Sequence, residues 1–360
     1  MANQNQVGKV QTVTGLADPA EMGITLTHEH LLFDSSTLRG HVVDPPAEAR
    51  LRDLYYQPVS SENLGWMRHH AVLNKDNSQL LSIDTAIDET MLYKQFGGGS
   101  LVDATSIGIA RDPIGLARIS RHTGVKIVMG AAHYVHQAHP DDMDERTEDE
   151  IFETIVTDVT EGAEGTDVKS GIIGEVGCSW PLTDNERKVL RAAARAQRVT
   201  GAPILIHPGR DETAPFEILQ ILRESGADLE RTIMGHVERT IFKLEDFKRV
   251  AESGCYVEWD LFGSERSYYG ANPKFDMPSD ATRMDQIAYL ASEGFGDKLV
   301  VAHDICNKDR LIKYGGHGYF YIISHIVPRM RARGYTEEHI QKILVHNPAR
   351  ILTFADPESD

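Results

Sequence analysis

The chain has 360 residues, 41% of them hydrophobic, with 30 glycines and a formal charge of -17. That length can bury a large core as one α/β barrel or as two ordinary domains, while the acidic balance weighs against a nucleic-acid surface or a polybasic membrane patch. An anionic substrate would be repelled at long range and would need local positive charge in its pocket.

Three cysteines, Cys178, Cys255 and Cys306, form no disulfide framework and suit a reducing compartment. The first residues, 1–12, are polar and lack the apolar core of a signal peptide. No stretch approaches the ~20 apolar residues of a membrane span. The expectation is a cytoplasmic protein with neither membrane nor nucleic acid as partner.

Gly23-Ile24-Thr25-Leu26 runs into Thr27-His28-Glu29-His30 and reads as the first strand. Alternate side chains of a strand share a face, so His28 and His30 point one way and Glu29 the other, forming a two-nitrogen metal clamp. Such pairs also arise by chance on polar edges. The segment from Leu31 to about residue 79 is too long for an ordinary connection; its Tyr55, Tyr56 and Trp66, with Pro45-Pro46, predict an insertion packed over one end of the fold.

Regular alternation begins at residue 80. A helix over 80–96, a break at Gly97-Gly98-Gly99 and a strand over 100–105 are followed by a helix over 111–122 and a strand over 126–130. A helix over 147–161 precedes strand four, 170–176, and Thr183 with Glu186 forms a capping box at the next helix. Strands five to eight follow at 203–207, 232–236, 255–260 and 298–304, with helices near 214–225, 241–253 and 280–294 between them. Helices at 319–332 and 336–345 close the chain. This predicts a (β/α)8 TIM barrel over 1–360 as a single domain, with the long insertion after strand one and additional C-terminal helices. A doubly wound open sheet competes, but no glycine-rich dinucleotide fingerprint follows a strand.

His28, His30, Glu175, His207, His236 and Asp304 fall at carboxyl ends of strands, where barrels keep their chemistry. A single histidine there is more often a core or surface residue, and Glu175 alone suits a helix cap. Together, four histidines and two carboxylates on one mouth are costly without a cation. Zinc suits this ligand set best, with manganese, cobalt or iron open. Two ions are the natural count: His28, His30 and Asp304 at one, His207 and His236 at the other, Glu175 bridging. A hydroxide between them, its pKa lowered to about 7, would be the nucleophile, and Asp304 would take its proton and pass it to the leaving group.

The pattern resembles the phosphotriesterase branch of the amidohydrolase superfamily, from Gly8-Lys9-Val10-Gln11-Thr12-Val13 to Val345-His346-Asn347-Pro348-Ala349-Arg350. Gly171-Ile172-Ile173-Gly174-Glu175-Val176-Gly177-Cys178-Ser179-Trp180-Pro181-Leu182, Ile206-His207-Pro208-Gly209-Arg210, Ala302-His303-Asp304-Ile305 and Lys313-Tyr314-Gly315-Gly316-His317-Gly318-Tyr319 are similar to its phosphotriesterase-related group. The founding phosphotriesterases bridge their metals with a carboxylated lysine, whereas Glu175 stands at that strand here. The resemblance therefore implies amide hydrolysis of N-acetyltaurine to taurine and acetate rather than paraoxon hydrolysis. It also implies dimerisation, common in that family.

A small anionic N-acyl substrate needs donors. Arg210 and Arg239 each lie three residues after a ligand histidine, and Lys308 and Arg310 follow Asp304; a surface salt bridge is the bland reading for any one of them. Tyr134 is placed to bind substrate or line the wall, and Asp260 to orient a ligand histidine from behind. His303 reads as structural, and His133, His136 and His139 as a solvated loop. A lid-like loop over 262–279 carries Tyr268, Tyr269 and Phe275. Gly315-Gly316-His317-Gly318 gives flexibility; no Lys-Ser or Lys-Thr follows it, so it is not read as a phosphate cradle. The alternatives are lactone or organophosphate ester hydrolysis by the same metal pair, amide hydrolysis of other small N-acyl amino acids, and a metal-binding receptor without catalysis.

Overall fold

A computed structural model describes residues 4–36, 38, 48–265, 269 and 271–358. Eight strands occur in the expected order: β1 (Ile24–Glu29), β2 (Gly98–Asp103), β3 (Lys126–Ala131), β4 (Ile172–Gly177), β5 (Ile204–His207), β6 (Thr232–Met234), β7 (Tyr256–Trp259) and β8 (Leu299–Val301). They pair in sequence order, every pairing parallel, from β1 to β8. Between β8 and β1 no ladder is described, and the gap is closed by the Asp304 N–H donating to His28 O at 3.0 Å. The result is a nearly closed α/β barrel.

Alternation along the strands separates two apolar layers. Val102, Val128, Ile172, Leu205, Ile233 and Val300 fill the interior, stoppered at the amino end of the strands by Val10, Met22, Ile351 and Leu352. Their neighbours Leu101, Ile127, Ile173, Ile204, Met234 and Val301 face the surrounding helices. Each buried aliphatic side chain contributes about 1.5–3 kcal/mol.

The helices are α1 (Ile83–Gln95), α2 (Pro113–Thr123), α3 (Glu148–Thr160), α4 (Asp184–Thr200), α5 (Ala214–Glu224), α6 (Leu244–Glu252) and α7 (Asp280–Leu290). Capping boxes start α3 at Thr147 and Glu150 and α4 at Thr183 and Glu186. The C-terminal helices run over 321–332, close to expectation, and over 337–352, longer than expected, each with wider turns inside it, at 322–326 and 342–346.

Only the first glycine of the run makes the break: Gly97, at φ 96°, turns the chain after 83–95. Gly98 and Gly99 lie inside β2, where a side chain at Gly98 would meet the Tyr93 ring and one at Gly99 would meet Met22 O. Small size, not turn formation, is what those positions require.

The described part of the insertion covers the carboxyl end of the barrel. Of its helices Ala49–Tyr56 and Leu64–His70, the first is tied to the segment after the second by the buried Asn74, whose Nδ2 donates to Leu54 O (2.7 Å) and Gln57 O (2.8 Å). Asn77 fastens the insertion to the segment after β8: its carbonyl accepts from Lys308 N at 3.0 Å and its Oδ1 from Asp309 N at 2.8 Å. Pro45 and Pro46 of the insertion and Tyr268 of the later loop lie outside the described residues. None of the described helices is long and apolar enough to cross a membrane.

Candidate active site

Two irregularities aim the site. Leu26 pairs with Leu101 and Glu29 with Asp103, so β1 carries one extra residue between them; β4 does the same between Ile173 and Val176. Such a bulge shifts the alternation by one. Leu26 and Ile173 therefore face the helices while His28 and Glu175, two residues on, turn inward. At the ends of β6 and β8, His236 and Asp304 adopt left-handed backbone (φ 51° and 52°), which turns their side chains over the barrel mouth.

The six expected ligand residues converge. Glu175 Oε2 lies 2.7 Å from His207 Nδ1, 3.1 Å from His28 Nε2 and 3.4 Å from His236 Nε2, and Glu175 Oε1 lies 3.3 Å from His30 Nε2. Asp304 Oδ1 is 3.2 Å from His30 Nε2. Ligand atoms of His28, His30 and Asp304 lie within 4.8 Å of one another, as do those of Glu175, His207 and His236. Imidazole nitrogens and carboxylate oxygens at this density are the donor set of a divalent metal centre, and these residues fit one.

The electrostatics agree. Burial opposes protonation of His30, but Asp304 and Glu175 outweigh it and raise the imidazole to about 9. Burial likewise opposes His28, and Glu175 and Asp260 raise it well above its ordinary range. His207, under burial and beside His236, is held well below. Buried negative charge thus outweighs the neutral ligands and favours a cation.

Behind the ligands stands a second layer. Asp260 accepts from His236 Nδ1 and from His236 N, both at 2.7 Å, the orienting position expected of it. Glu258 Oε2 meets His28 Nδ1 at 3.1 Å, and Thr105 Oγ1 meets His30 Nδ1 at 2.9 Å. Glu29, turned away from the metal cluster, accepts from His303 N (2.8 Å), His303 Nδ1 (2.7 Å) and Ile305 N (3.1 Å), and so clamps the turn that carries Asp304. His303 is structural through this contact.

A cavity of about 450 Å3 opens above the cluster, walled by Phe33, Leu38, Val72 and Leu73 of the insertion and by Tyr269 and Met277 of the later loop. Tyr134 lines it, with its hydroxyl 3.4 Å from His207 Nδ1. Three arginines share the wall. Arg239 is engaged with Pro208 O and Thr240 Oγ1 and lies 3.1 Å from His207 Nε2. Arg310 donates to Asp304 O, Phe262 O and His317 Nε2. Arg210 donates only from Nε, to the Tyr269 hydroxyl at 2.7 Å, and its two terminal nitrogens hydrogen-bond no described residue. Lys308 is elsewhere, paired with Asp76 at 2.6 Å.

Of the histidine trio, His136 is exposed and His139 half-buried, as in a solvated loop, but His133 is not. His133 is fully buried, and neither of its nitrogens has a hydrogen-bond partner among the described residues. Sequence reasoning misses Glu258, Thr105 and the hold of Glu29 on 303–305. Of these, Glu258 alone carries a visible signal, standing two residues before Asp260 on one strand.

The chain matches the Phosphotriesterase family over residues 8–352. It is 45% identical over 348 residues to a Homo sapiens protein named N-acetyltaurine hydrolase, covering 96% of this chain and 98% of that one. Among solved structures, a resiniferatoxin-binding protein from Rhodobacter sphaeroides aligns with a TM-score of 0.91 at 36% identity, over 96% of this chain and 95% of that one. A lactonase from Listeria monocytogenes, 27% identical, gives 0.77 over 97% of this chain and 100% of its own.

Proposed function

We propose that this chain, which belongs to the phosphotriesterase family, is a zinc-dependent amidohydrolase cleaving N-acetyltaurine to taurine and acetate. One observation carries the reading: two ligand triads joined at Glu175, beneath a cavity on whose wall the terminal nitrogens of Arg210 hydrogen-bond no described residue. The name of the human relative supports the substrate.

His28, His30 and Asp304 would hold one ion and His207 and His236 the other, with Glu175 between them. Bound divalent ions supply Lewis-acid polarisation of the acyl carbonyl and a water of lowered pKa. Asp304, at the cavity floor, accepts a proton from the attacking water and delivers it to the leaving amine nitrogen. Tyr134 donates toward the acyl oxygen. The planar fork of Arg210 matches a sulfonate in two parallel hydrogen bonds, and the three arginines give the cavity the local positive charge that an acidic exterior lacks. Phe33, Leu38, Val72 and Leu73 exclude bulk water.

The test is release of free taurine by zinc-loaded protein, beside Asp304→Ala, Glu175→Ala and a lactone and paraoxon panel. Taurine release, lost in both variants with zinc content falling in Glu175→Ala, is the expected result. Turnover of a lactone without taurine release would replace the substrate by the second reading, a lactonase, which the Listeria monocytogenes structure favours.

A further inference from the structure

Strand β7 sends two carboxylates into the barrel, Glu258 and, just past its end, Asp260. Both reach the same atom. Glu258 Oε2 is 3.1 Å and Asp260 Oδ2 3.2 Å from His28 Nδ1. Asp260 is already committed, with Oδ1 taken by His236 Nδ1 and Oδ2 by His236 N, each at 2.7 Å. Beyond His28, Glu258 meets the Thr27 side chain, outside hydrogen-bonding geometry. It is wholly buried, its Oε2 meets His28, and its Oε1 has no hydrogen-bond partner among the described residues. The space for the pair depends on Gly235, where a Cβ would lie 3.0 Å from Asp260 Oδ2 and 3.3 Å from Glu258 Oε2.

A buried carboxylate without a donor is costly, so a glutamate at 258 requires a donor. His28 supplies it. Its Nε2 faces Glu175 in the metal cluster, so its proton belongs on Nδ1, and an acceptor there fixes both tautomer and ring plane. We infer that Glu258 is a positioning residue that holds His28 with Nε2 toward the metal, so that each strand-seven carboxylate serves one histidine: Asp260 orients His236 and Glu258 orients His28. This rests on the metal reading proposed above.

The contribution is directional acceptance, so variants that differ in that property alone separate it from a filling role. Glu258→Gln keeps an amide oxygen that accepts from Nδ1–H; Glu258→Met keeps the length without an acceptor. Zinc affinity by chelator competition should fall about 10–100-fold in Glu258→Met at one of the two sites and stay close to wild type in Glu258→Gln. The visible spectrum of the cobalt-substituted protein should change in the first variant only. Thermal unfolding of metal-free protein reports folding, and Glu258→Ala replaces Glu258→Met if that chain does not fold. Unchanged affinity and spectrum in Glu258→Met would overturn the inference, leaving Asp260 to orient both histidines. Equal losses in both variants would overturn it too, since charge rather than direction would then matter. Wild-type protein that binds no metal would instead overturn the metal reading itself.

Discussion

Among the described residues Arg210 holds its guanidinium by one hydrogen bond, from Nε to Tyr269, whereas Arg239 and Arg310 on the same wall have terminal nitrogens engaged. Charge-assisted bonds are worth about 1.5–3 kcal/mol, so Arg210→Gln should lower kcat/KM for N-acetyltaurine about 10- to 100-fold. The loss should appear in KM. A neutral N-acetyl amide of similar length should be hydrolysed almost as before, and an equal loss on both substrates would remove Arg210 from the anion site. His133 makes a different demand. Burial, with His139 and nearby arginines, pushes its imidazole down to about 3 from an ordinary 6.5. Between those values the unfolded chain binds a proton that the folded chain does not, so stability falls as pH drops from about 6.5 toward 3. His133→Phe should flatten that acid limb in chemical denaturation compared at pH 8 and pH 4.5. An unaltered slope would show that other groups set it.

At the scale of elements, the insertion is tied down by few bonds. Asn74 alone joins Leu54 O, Gln57 O and Asn77 N. Asn74→Ala leaves the buried Asn77 N–H without its acceptor, at about 1–3 kcal/mol, and frees the half-buried Leu54 and exposed Gln57 carbonyls at less, so limited proteolysis should then cut within 48–79 well before the barrel. Equal resistance in wild type and variant would mean that Asn77 and Asp76, which grip the segment after β8, suffice. The insertion's existence was legible from its length and aromatics, because a loop that long with Tyr55 and Trp66 has apolar surface to bury. Its attachment was not, since an asparagine bonded to main-chain carbonyls leaves no periodic trace. Gly98 shows the same limit: three glycines in a row signal a break locally, and only the Tyr93 ring packed against β2 reveals that the position must be small.

Across the whole molecule, strand alternation and the recurrence of His, Glu or Asp after most apolar runs made the barrel and the six converging ligands legible. The bulges in β1 and β4 were not, because an extra residue is defined by its partner strand, and without them Leu26 would share the face of His28 and Ile173 that of Glu175. Those six residues, drawn from β1, β4, β5, β6 and the turn after β8, span most of the barrel's circumference, so a cation held by them would tie distant strands together. A ligand that binds only the folded chain adds RT ln(1 + [L]/Kd), about 2.7 kcal/mol at a hundredfold excess over Kd. At about 2 °C per kcal/mol for large domains, zinc should raise Tm by roughly 5 °C or more over chelated protein, reversibly on adding the metal back. The increment should shrink in Glu175→Ala, which removes the carboxylate that belongs to one triad and contacts His28 and His30 of the other, while the chelated proteins unfold at closer temperatures. A Tm indifferent to zinc would mean that the four histidines satisfy the carboxylates through protons alone, with His28 and His30 charged in place of bound cations.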